Sequence, residues 1–291
     1  MFIEALIIGL SLGAIYALIA IGYSMVYGIL KLMNFAHGDV YTFGSFICWM
    51  LLTKYDLNPI LSIIIAMIVG GVLASIVEIL AYRPLRSPEY RNISMISALG
   101  VAYIVQNTSE NFWGSQVHLF PSIISIPFVS IFGIKIPTTQ FVTLGVTIIV
   151  ISIFNLFLKY HKVGKAILCV SQDIPTSSLM GIPINKTISI VYLLGGILGV
   201  IGGILYASSY NALSLSMGFS GTIVAFNASV FGGIGSMNGA LLGGLILGMI
   251  HSLVGIYIST TYVDAITFSV LILVLLVKPK GILGYYVEEK V

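Results

Sequence analysis

Residues 187–209, TISIVYLLGGILGVIGGILYASS, form an apolar stretch without a single acidic or basic side chain. A helix needs about 20 such residues to cross the hydrocarbon core of a bilayer, because each residue adds only about 1.5 Å of helix length. The stretch therefore predicts a membrane-spanning helix. The rest of the sequence determines whether this helix is an isolated anchor or one element of a larger membrane domain.

The composition of the whole chain is as apolar as that stretch suggests. Of its 291 residues, 58% are hydrophobic and 8% are charged, and the mean hydropathy is +1.08. A soluble domain carries about 25% charged residues, so this chain has too few to cover a surface that faces water. The net charge of +3 is spread along the chain and forms no basic patch for nucleic acid. The composition excludes a soluble globular protein and a nucleic-acid-binding protein.

Eight or nine segments have the length and apolarity of membrane helices, which predicts an all-α, polytopic helix bundle that forms one transmembrane domain over residues 1–291. Two segments are ambiguous. Segment 35–53 begins with polar residues and segment 219–236 is rich in Gly, Ser and Asn, so either could be a short or re-entrant helix surrounded by protein. The predicted spans are 3–29, 35–53, 60–82, 93–113, 140–158, 187–209, 219–236, 239–258 and 262–277.

The distribution of Lys and Arg predicts the orientation, because short cytoplasmic loops carry an excess of these residues. When all nine segments cross, 11 of the 13 basic residues fall on the same side. We expect that side to be cytoplasmic, with the C-terminus inside and the N-terminus outside. If 35–53 or 219–236 does not cross, the position of the N-terminus is the first part of this prediction to fail.

Two connections are longer than a simple link between helices requires. Residues 114–139 contain three prolines and alternating apolar residues, which predicts an external lobe with a short β-hairpin or extended piece. Residues 159–186 form the longest internal loop, and their apolar residues need a surface to pack on. The stretch is either a helix lying on the membrane surface or a helix docked in the groove of a partner. These apolar residues are Ile167, Leu168, Val170, Ile174, Leu179 and Met180.

The sequence GKAILCVSQDIPTSSLMGI at 164–182 resembles the cytoplasmic coupling loop of ABC importer permeases for branched-chain amino acids. Further segments similar to that family follow its order along most of the chain, and together they resemble the LivH-type permease family. These segments are SLGAIYALIAIGYSMVYGI at 11–29, NFAHGDVY at 34–41, AYRPLR at 81–86, VFGGIGSMNGALLGGLILG at 230–248 and LILVLLVKPKGILG at 271–284.

The resemblance implies a multi-pass permease subunit of the bacterial inner membrane that moves leucine, isoleucine or valine into the cytoplasm by alternating access. It implies four kinds of partner: a second homologous permease subunit, two ATP-binding ABC subunits, an external solute-binding protein and the lipid bilayer. It implies no cofactor. It also places a contact with an ATP-binding subunit on Asp173, Ser177, Ser178, Leu179, Met180 and Gly181.

The chain carries no motif for chemistry of its own. It contains no G-x-x-x-x-G-K-[ST] loop to hold the phosphates of ATP, no nucleophile elbow and no H-E-x-x-H. It is therefore expected to be a transport subunit driven by another protein and not an enzyme. Two alternatives remain: a permease of the same family for urea or short-chain amides, and an ion-coupled secondary transporter, against which the lack of paired membrane carboxylates argues.

Polar residues in the two ambiguous segments are candidates for the translocation path. Asn34, His37 and Asp39 lie at the start of the first segment, where they could line the path or hold a broken helix. Alternatively, Asn34 caps the helix and Asp39 stabilises its first turn. The second segment places side-chain hydroxyls and an amide near glycines, a pattern typical of a lined path. These residues are Ser220, Thr222, Asn227 and Ser229.

A few isolated residues carry further predictions. Glu78 lies close in sequence to Arg83 and Arg86, which predicts either an ion pair or arginine side chains that snorkel to the inner interface. His251 is alone in an apolar helix and is expected to be a packing residue with a satisfied ring. The two cysteines, Cys48 and Cys169, have no metal-ligand spacing and are expected to be free thiols.

Overall fold

The structure is a computed structural model that describes residues 2–123, 128–131 and 134–284. Helices dominate these ranges, as the apolar composition requires. In chain order they are α1 (Phe2–Leu30), α2 (His37–Thr53), α3 (Pro59–Val77), α4 (Arg91–Trp113), α5 (Thr138–Tyr160), α6 (Lys162–Gln172), α7 (Ile174–Leu179), α8 (Ile184–Tyr210), α9 (Ser216–Gly232), α10 (Met237–Tyr257) and α11 (Val263–Val277).

Six helices of the described ranges are long and apolar enough to cross a membrane: α1, α3 with its extension to Leu85, α5, α8, α10, and α11 with a preceding turn from Thr260. The shorter α2 and α9 and the more polar α4 complete a set of nine long helices. The predicted all-α membrane bundle is confirmed, and the predicted count of eight or nine is approximate. The two segments that the sequence left ambiguous are α2 and α9, of 17 residues each.

The described residues include four short strands, which lie outside the helical bundle. Strand β1 (His118–Leu119) pairs antiparallel with β4 (Ala212–Leu213), and β2 (Phe128–Ile131) pairs with β3 (Ile134–Pro137). The second pair is the β-hairpin predicted within 114–139. The first pair joins the connection after α4 to the connection after α8, so both lie at one end of the bundle.

The connections at the opposite end also meet one another. Ile282 and Leu283, which follow α11, donate backbone hydrogen bonds to the carbonyls of Phe231 and Gly232 at the end of α9. Gly235 donates to the Ser24 hydroxyl near the end of α1. The connections after α4 and α8 thus meet at one end, and those after α9 and α11 meet the end of α1 at the other, which is the arrangement that nine crossings would produce. Which end faces the cytoplasm stays a prediction.

The core is built around α1. In the most apolar part of each helix, 78% of α1 is buried but only 11% of α11, so α1 is central and α11 is peripheral. Buried polar contacts hold α1 to α10: Ser252 donates to the Ala5 carbonyl at 2.7 Å, and the Tyr16 hydroxyl lies 2.9 Å from Nδ1 of His251. The ring of His251 is thus satisfied, as predicted.

Many large apolar side chains on α3, α5 and α11 point outward. Ile68, Ile148 and Leu273 are examples in which more than half of the side chain is exposed. A soluble monomer rarely exposes so much contiguous apolar surface, whereas lipid tails solvate it without cost. The outward faces of these helices therefore suit contact with a bilayer.

Candidate functional site

The two short helices α2 and α9 contact each other backbone to backbone. A Cβ atom on Gly38 would lie 1.9 Å from the carbonyl oxygen of Gly218, so only glycine permits this approach. Near the contact, the Tyr41 hydroxyl donates a 2.7 Å hydrogen bond to the carbonyl of Met217. The two ambiguous segments thus form one structural unit inside the bundle.

A cavity of about 550 Å³ opens beside this unit. Asp39, Ser220 and Thr222, three of the predicted path residues, line it together. The Thr222 hydroxyl donates to the Gly218 carbonyl one helical turn before it, which fixes its orientation. The remaining wall mixes polar and apolar side chains. The polar ones are those of Tyr23, Tyr103, Gln106 and Ser216, and the apolar ones come from α4, α9 and the connection between α1 and α2.

A second cavity, of about 680 Å³, lies on the other side of α9. Asn227 lines it, together with His251 and Asp264 from α10 and α11. Ser220 borders both cavities, as do Phe219 and Ile223. The first half of α9 therefore stands as a shared wall between two solute-sized spaces.

The other three predicted path residues line neither cavity. Asn34 is buried, and its Oδ1 accepts a 3.3 Å hydrogen bond from the Tyr82 hydroxyl. Its side chain does not cap α2, because that helix begins after Ala36 without a side-chain cap. The prediction that Asn34 caps α2 is therefore wrong, because its side-chain amide is hydrogen-bonded instead to Tyr82, which is distant in sequence.

His37 and Ser229 are buried in the bundle core. The His37 ring is buried between the rings of Tyr23 and Tyr41, at centroid distances of 6.0 and 6.2 Å. The Ser229 hydroxyl lies 2.8 Å from the Ala225 carbonyl of its own helix. Sequence alone gave no means of separating these residues from the cavity-lining ones, since all are polar residues in the same two segments.

The predicted coupling loop folds as two helices, α6 and α7. Ile167 and Val170 on α6 are buried against the chain's own helices, so neither lipid nor a partner is needed to cover them. Two apolar side chains at the end of α7 remain uncovered: Leu179 is 88% exposed and Met180 is 79% exposed. The loop thus has an inner face that anchors it and an apolar tip that projects outward.

Local hydrogen bonds fix the shape of α7. Asp173 is its N-cap, and Oδ1 accepts a 2.9 Å hydrogen bond from the backbone N–H of Thr176. The contact favours the ionised carboxylate and holds the pKa of Asp173 below its ordinary value. The Asp-Ile-Pro sequence at 173–175 carries this signal, since an Asp cap followed by an early proline is typical of a helix start.

The C-terminal end of α7 is a Schellman turn. Gly181 has φ +79°, and its N–H donates to the Ser178 carbonyl while the N–H of Ile182 donates to that of Ser177. The predicted role of Gly181 in turning the chain is confirmed. Ser177 is only 4% exposed, so it faces inward while Asp173, Ser178 and the tip lie on the surface.

A charged cluster ties the end of α3 to the start of α8, the helix that follows the loop. Glu78 is fully buried and pairs with Arg83 at 2.8 Å and with Arg86. Two residues of α8 complete it: the Ser189 hydroxyl donates to Glu78 at 2.6 Å, and Asn185 accepts from Arg86 at 2.7 Å. The ion pair was predicted; its link to α8 was not.

The chain has clear relatives among known proteins. Residues 5–275 match the family described as "Branched-chain amino acid transport system / permease component". The chain is 38% identical to the high-affinity branched-chain amino acid transport system permease protein LivH of Escherichia coli K12 and 36% identical to the corresponding protein BraD of Pseudomonas aeruginosa. Each alignment covers 100% of this chain and 98% of the relative.

Among solved structures, PsaBC from Streptococcus pneumoniae in complex with Fab aligns over 95% of this chain and 91% of its own, with 16% identity and a TM-score of 0.49. The described helices and the full-length match to LivH and BraD together show that this multi-pass membrane protein belongs to the family of permease components of branched-chain amino acid transport systems.

Proposed function

We propose that the chain is the membrane permease subunit of an ATP-driven importer that moves leucine, isoleucine or valine into the cytoplasm. The support is its family membership and full-length similarity to permease proteins named for this transport. In this proposal the subunit lies in the bacterial inner membrane with its C-terminus in the cytoplasm. Two ATP-binding subunits, a homologous permease subunit and an external solute-binding protein complete the importer.

The exposed apolar tip of α7 is the observation that carries the coupling part of the proposal. Leu179 and Met180 are far more exposed than the other apolar residues of the loop, of which Ile167 and Val170 are buried, so the tip is available to a groove on a partner. The chain has no phosphate-binding loop of its own. An ATP-binding subunit that binds this tip would supply the energy for transport. Asp173, Ser178 and Gly181 shape the surface that it contacts.

The cavities on either side of α9 support a path along this helix. Both are within the range of roughly 300–1,000 Å³ that small-molecule sites occupy. Asp39, Ser220, Thr222 and Asn227 are among the polar groups that these walls present next to apolar surface. Asn34, His37 and Ser229 hold the helices that form these walls, and in this proposal the homologous subunit supplies the opposite wall.

The test compares two leucines of similar exposure at opposite ends of the bundle. Leu179→Asp should disrupt the apolar contact between the tip and the ATP-binding subunits. These subunits should then no longer copurify with the permease, and ATP-dependent leucine uptake should be lost. Leu119, 83% exposed on β1, is the matched control. Leu119→Asp should keep the ATP-binding subunits bound. Normal copurification and uptake with Leu179→Asp would contradict the coupling role.

Uptake measurements also separate the competing functions. Leucine uptake that stops when ATP is depleted and continues with a protonophore supports the ATP-driven importer. Uptake with the opposite dependence would indicate an ion-coupled transporter. Uptake of urea or a short amide that excess leucine leaves unchanged would assign the subunit to a different cargo.

A further inference from the structure

Asp39 is the carboxylate of the smaller cavity, and its position there is unusual. It lies in the first turn of α2, and its Oδ1 would be 3.1 Å from a Cβ placed on Gly218 of α9, so it sits where the two helices cross. It is partly exposed, and it borders the cavity of about 550 Å³. Among the side chains that the structure describes, Asp39 forms no ion pair.

The rest of the cavity wall combines a few polar groups with a large apolar surface. The uncharged hydrogen-bonding groups are those of Tyr23, Tyr103, Gln106, Ser216, Ser220 and Thr222. Phe35 and Phe226, with Met33 and other apolar side chains of α4 and α9, cover the remainder. A carboxylate that lacks a protein counter-charge in such surroundings gains most from a cationic ligand, because an unpaired charge is costly in an apolar environment.

We propose that Asp39 binds the α-ammonium group of the amino-acid cargo while the apolar wall receives its branched side chain. This inference rests on the proposed function and adds the chemical basis of cargo selection inside the membrane subunit. An ammonium group offers three N–H donors and a full positive charge to the carboxylate. Urea and simple amides offer donors without charge, so Asp39 discriminates against them.

The alternative role of the Asp39 carboxylate is purely structural: it would stabilise the ends of helices. A carboxylate near a helix N-terminus interacts favourably with the helix dipole, and Asp39 is close to the N-terminal turns of both α2 and α9. That role acts on folding and assembly, whereas cargo binding acts on the concentration dependence of uptake. An uncharged variant of the same size should therefore reduce folding and assembly under the first explanation, but reduce uptake by the assembled importer under the second.

The experiment uses the complete importer in liposomes, with its own solute-binding protein outside and ATP inside. Asp39→Asn should lower leucine uptake by about tenfold or more, the order expected when one charge-assisted hydrogen bond is lost. Asp39→Glu, which restores the charge, should recover part of the uptake. The matched control is Asp56→Asn in the exposed connection between α2 and α3, a change of the same chemistry outside both cavities. It should leave uptake unchanged.

The outcomes separate this inference from the proposed function. If the wild type takes up leucine and Asp39→Asn takes it up equally well, the role of Asp39 is overturned and the proposed function stands. Wild-type import of urea or an amide in place of any ammonium-bearing solute overturns both. A loss of uptake that matches an equal loss of assembled complex, measured by size-exclusion chromatography, assigns Asp39 to helix-end stabilisation and overturns the inference.

Discussion

Gly181 adopts a conformation at the end of α7 that most side chains resist. Its φ of +79° lies in the left-handed region, where a β-carbon costs about 1–2 kcal/mol and Asn is among the better tolerated residues. No neighbouring atom lies within 4 Å of a Cβ at this position, so any penalty comes from the backbone and not from a clash. Substitutions at Gly181 therefore test the geometry of the turn without a steric clash with neighbouring residues.

We predict that Gly181→Val leaves the permease inserted and assembled but lowers leucine uptake per ATP hydrolysed, because the turn reopens and the tip at Leu179 and Met180 shifts. Gly181→Asn is the control and should retain most of the coupling, since Asn adopts the left-handed region more readily. The ratio of uptake to ATP hydrolysis in liposomes measures the effect. Equal coupling in both variants would show that the turn geometry is not required.

Sequence reasoning at the residue scale succeeded where the cause is local. The Gly181 turn and the pairing of Glu78 with an arginine depend on neighbours within eight positions. It failed for Asn34, whose amide bonds Tyr82 across 48 positions. It could not sort Asp39, which faces a cavity, from His37, which is buried, because that difference depends on helices distant in sequence.

At the scale of elements, the buried cluster around Glu78 connects the end of α3 to the helix that follows the coupling segment, α8. Removing the charge with Glu78→Gln leaves Arg83 and Arg86 with weaker partners. The expected loss of stability is on the order of 2 kcal/mol, below the about 3–5 kcal/mol of a fully buried pair, because both arginines keep some solvent exposure. Thermal unfolding of the purified complex measures it.

Ser189→Ala is the control for that cluster. It removes the hydroxyl that donates to Glu78 and accepts from Arg83 but keeps both ion pairs, so the expected loss is about 1 kcal/mol. A melting temperature for Glu78→Gln no lower than that for Ser189→Ala would mean that the ion pairs contribute little. It would also mean that α3 and α8 are held together mainly by their apolar packing.

The pairing of α2 with α9 shows what element-level prediction lacked. Both were recognised as weak spans, because their polar residues shorten the apolar run. Their contact was not predictable, since it joins residues 176 positions apart, such as Tyr41 and Met217. The glycines that permit it look like any others among the 31 of the chain. Length and apolarity define each helix, but only the assembled bundle defines which glycines meet.

At the scale of the whole molecule, the spans and the bundle class follow from apolar length alone, and the structure adds the grouping of connections at two ends. The basic residues predict which end is cytoplasmic. The two natural cysteines allow a direct measurement, because Cys169 is exposed on α6 while Cys48 is buried in α2. A membrane-impermeant maleimide should therefore label the wild type at Cys169 only.

We predict that this labelling occurs in inside-out vesicles and not in right-side-out vesicles, and that Cys169→Ser abolishes it. Ser122, exposed in the connection that carries β1, provides the opposite-side control. Ser122→Cys in the Cys169→Ser background should be labelled only in right-side-out vesicles. Because only Asp173 separates α6 from α7 and the tip lies about ten residues after Cys169, labelling of Cys169 from outside would place the tip beyond reach of any cytoplasmic ATP-binding subunit. The excess of Lys and Arg at that end makes such an orientation unfavourable, so the two vesicle types test the charge argument and the coupling proposal together.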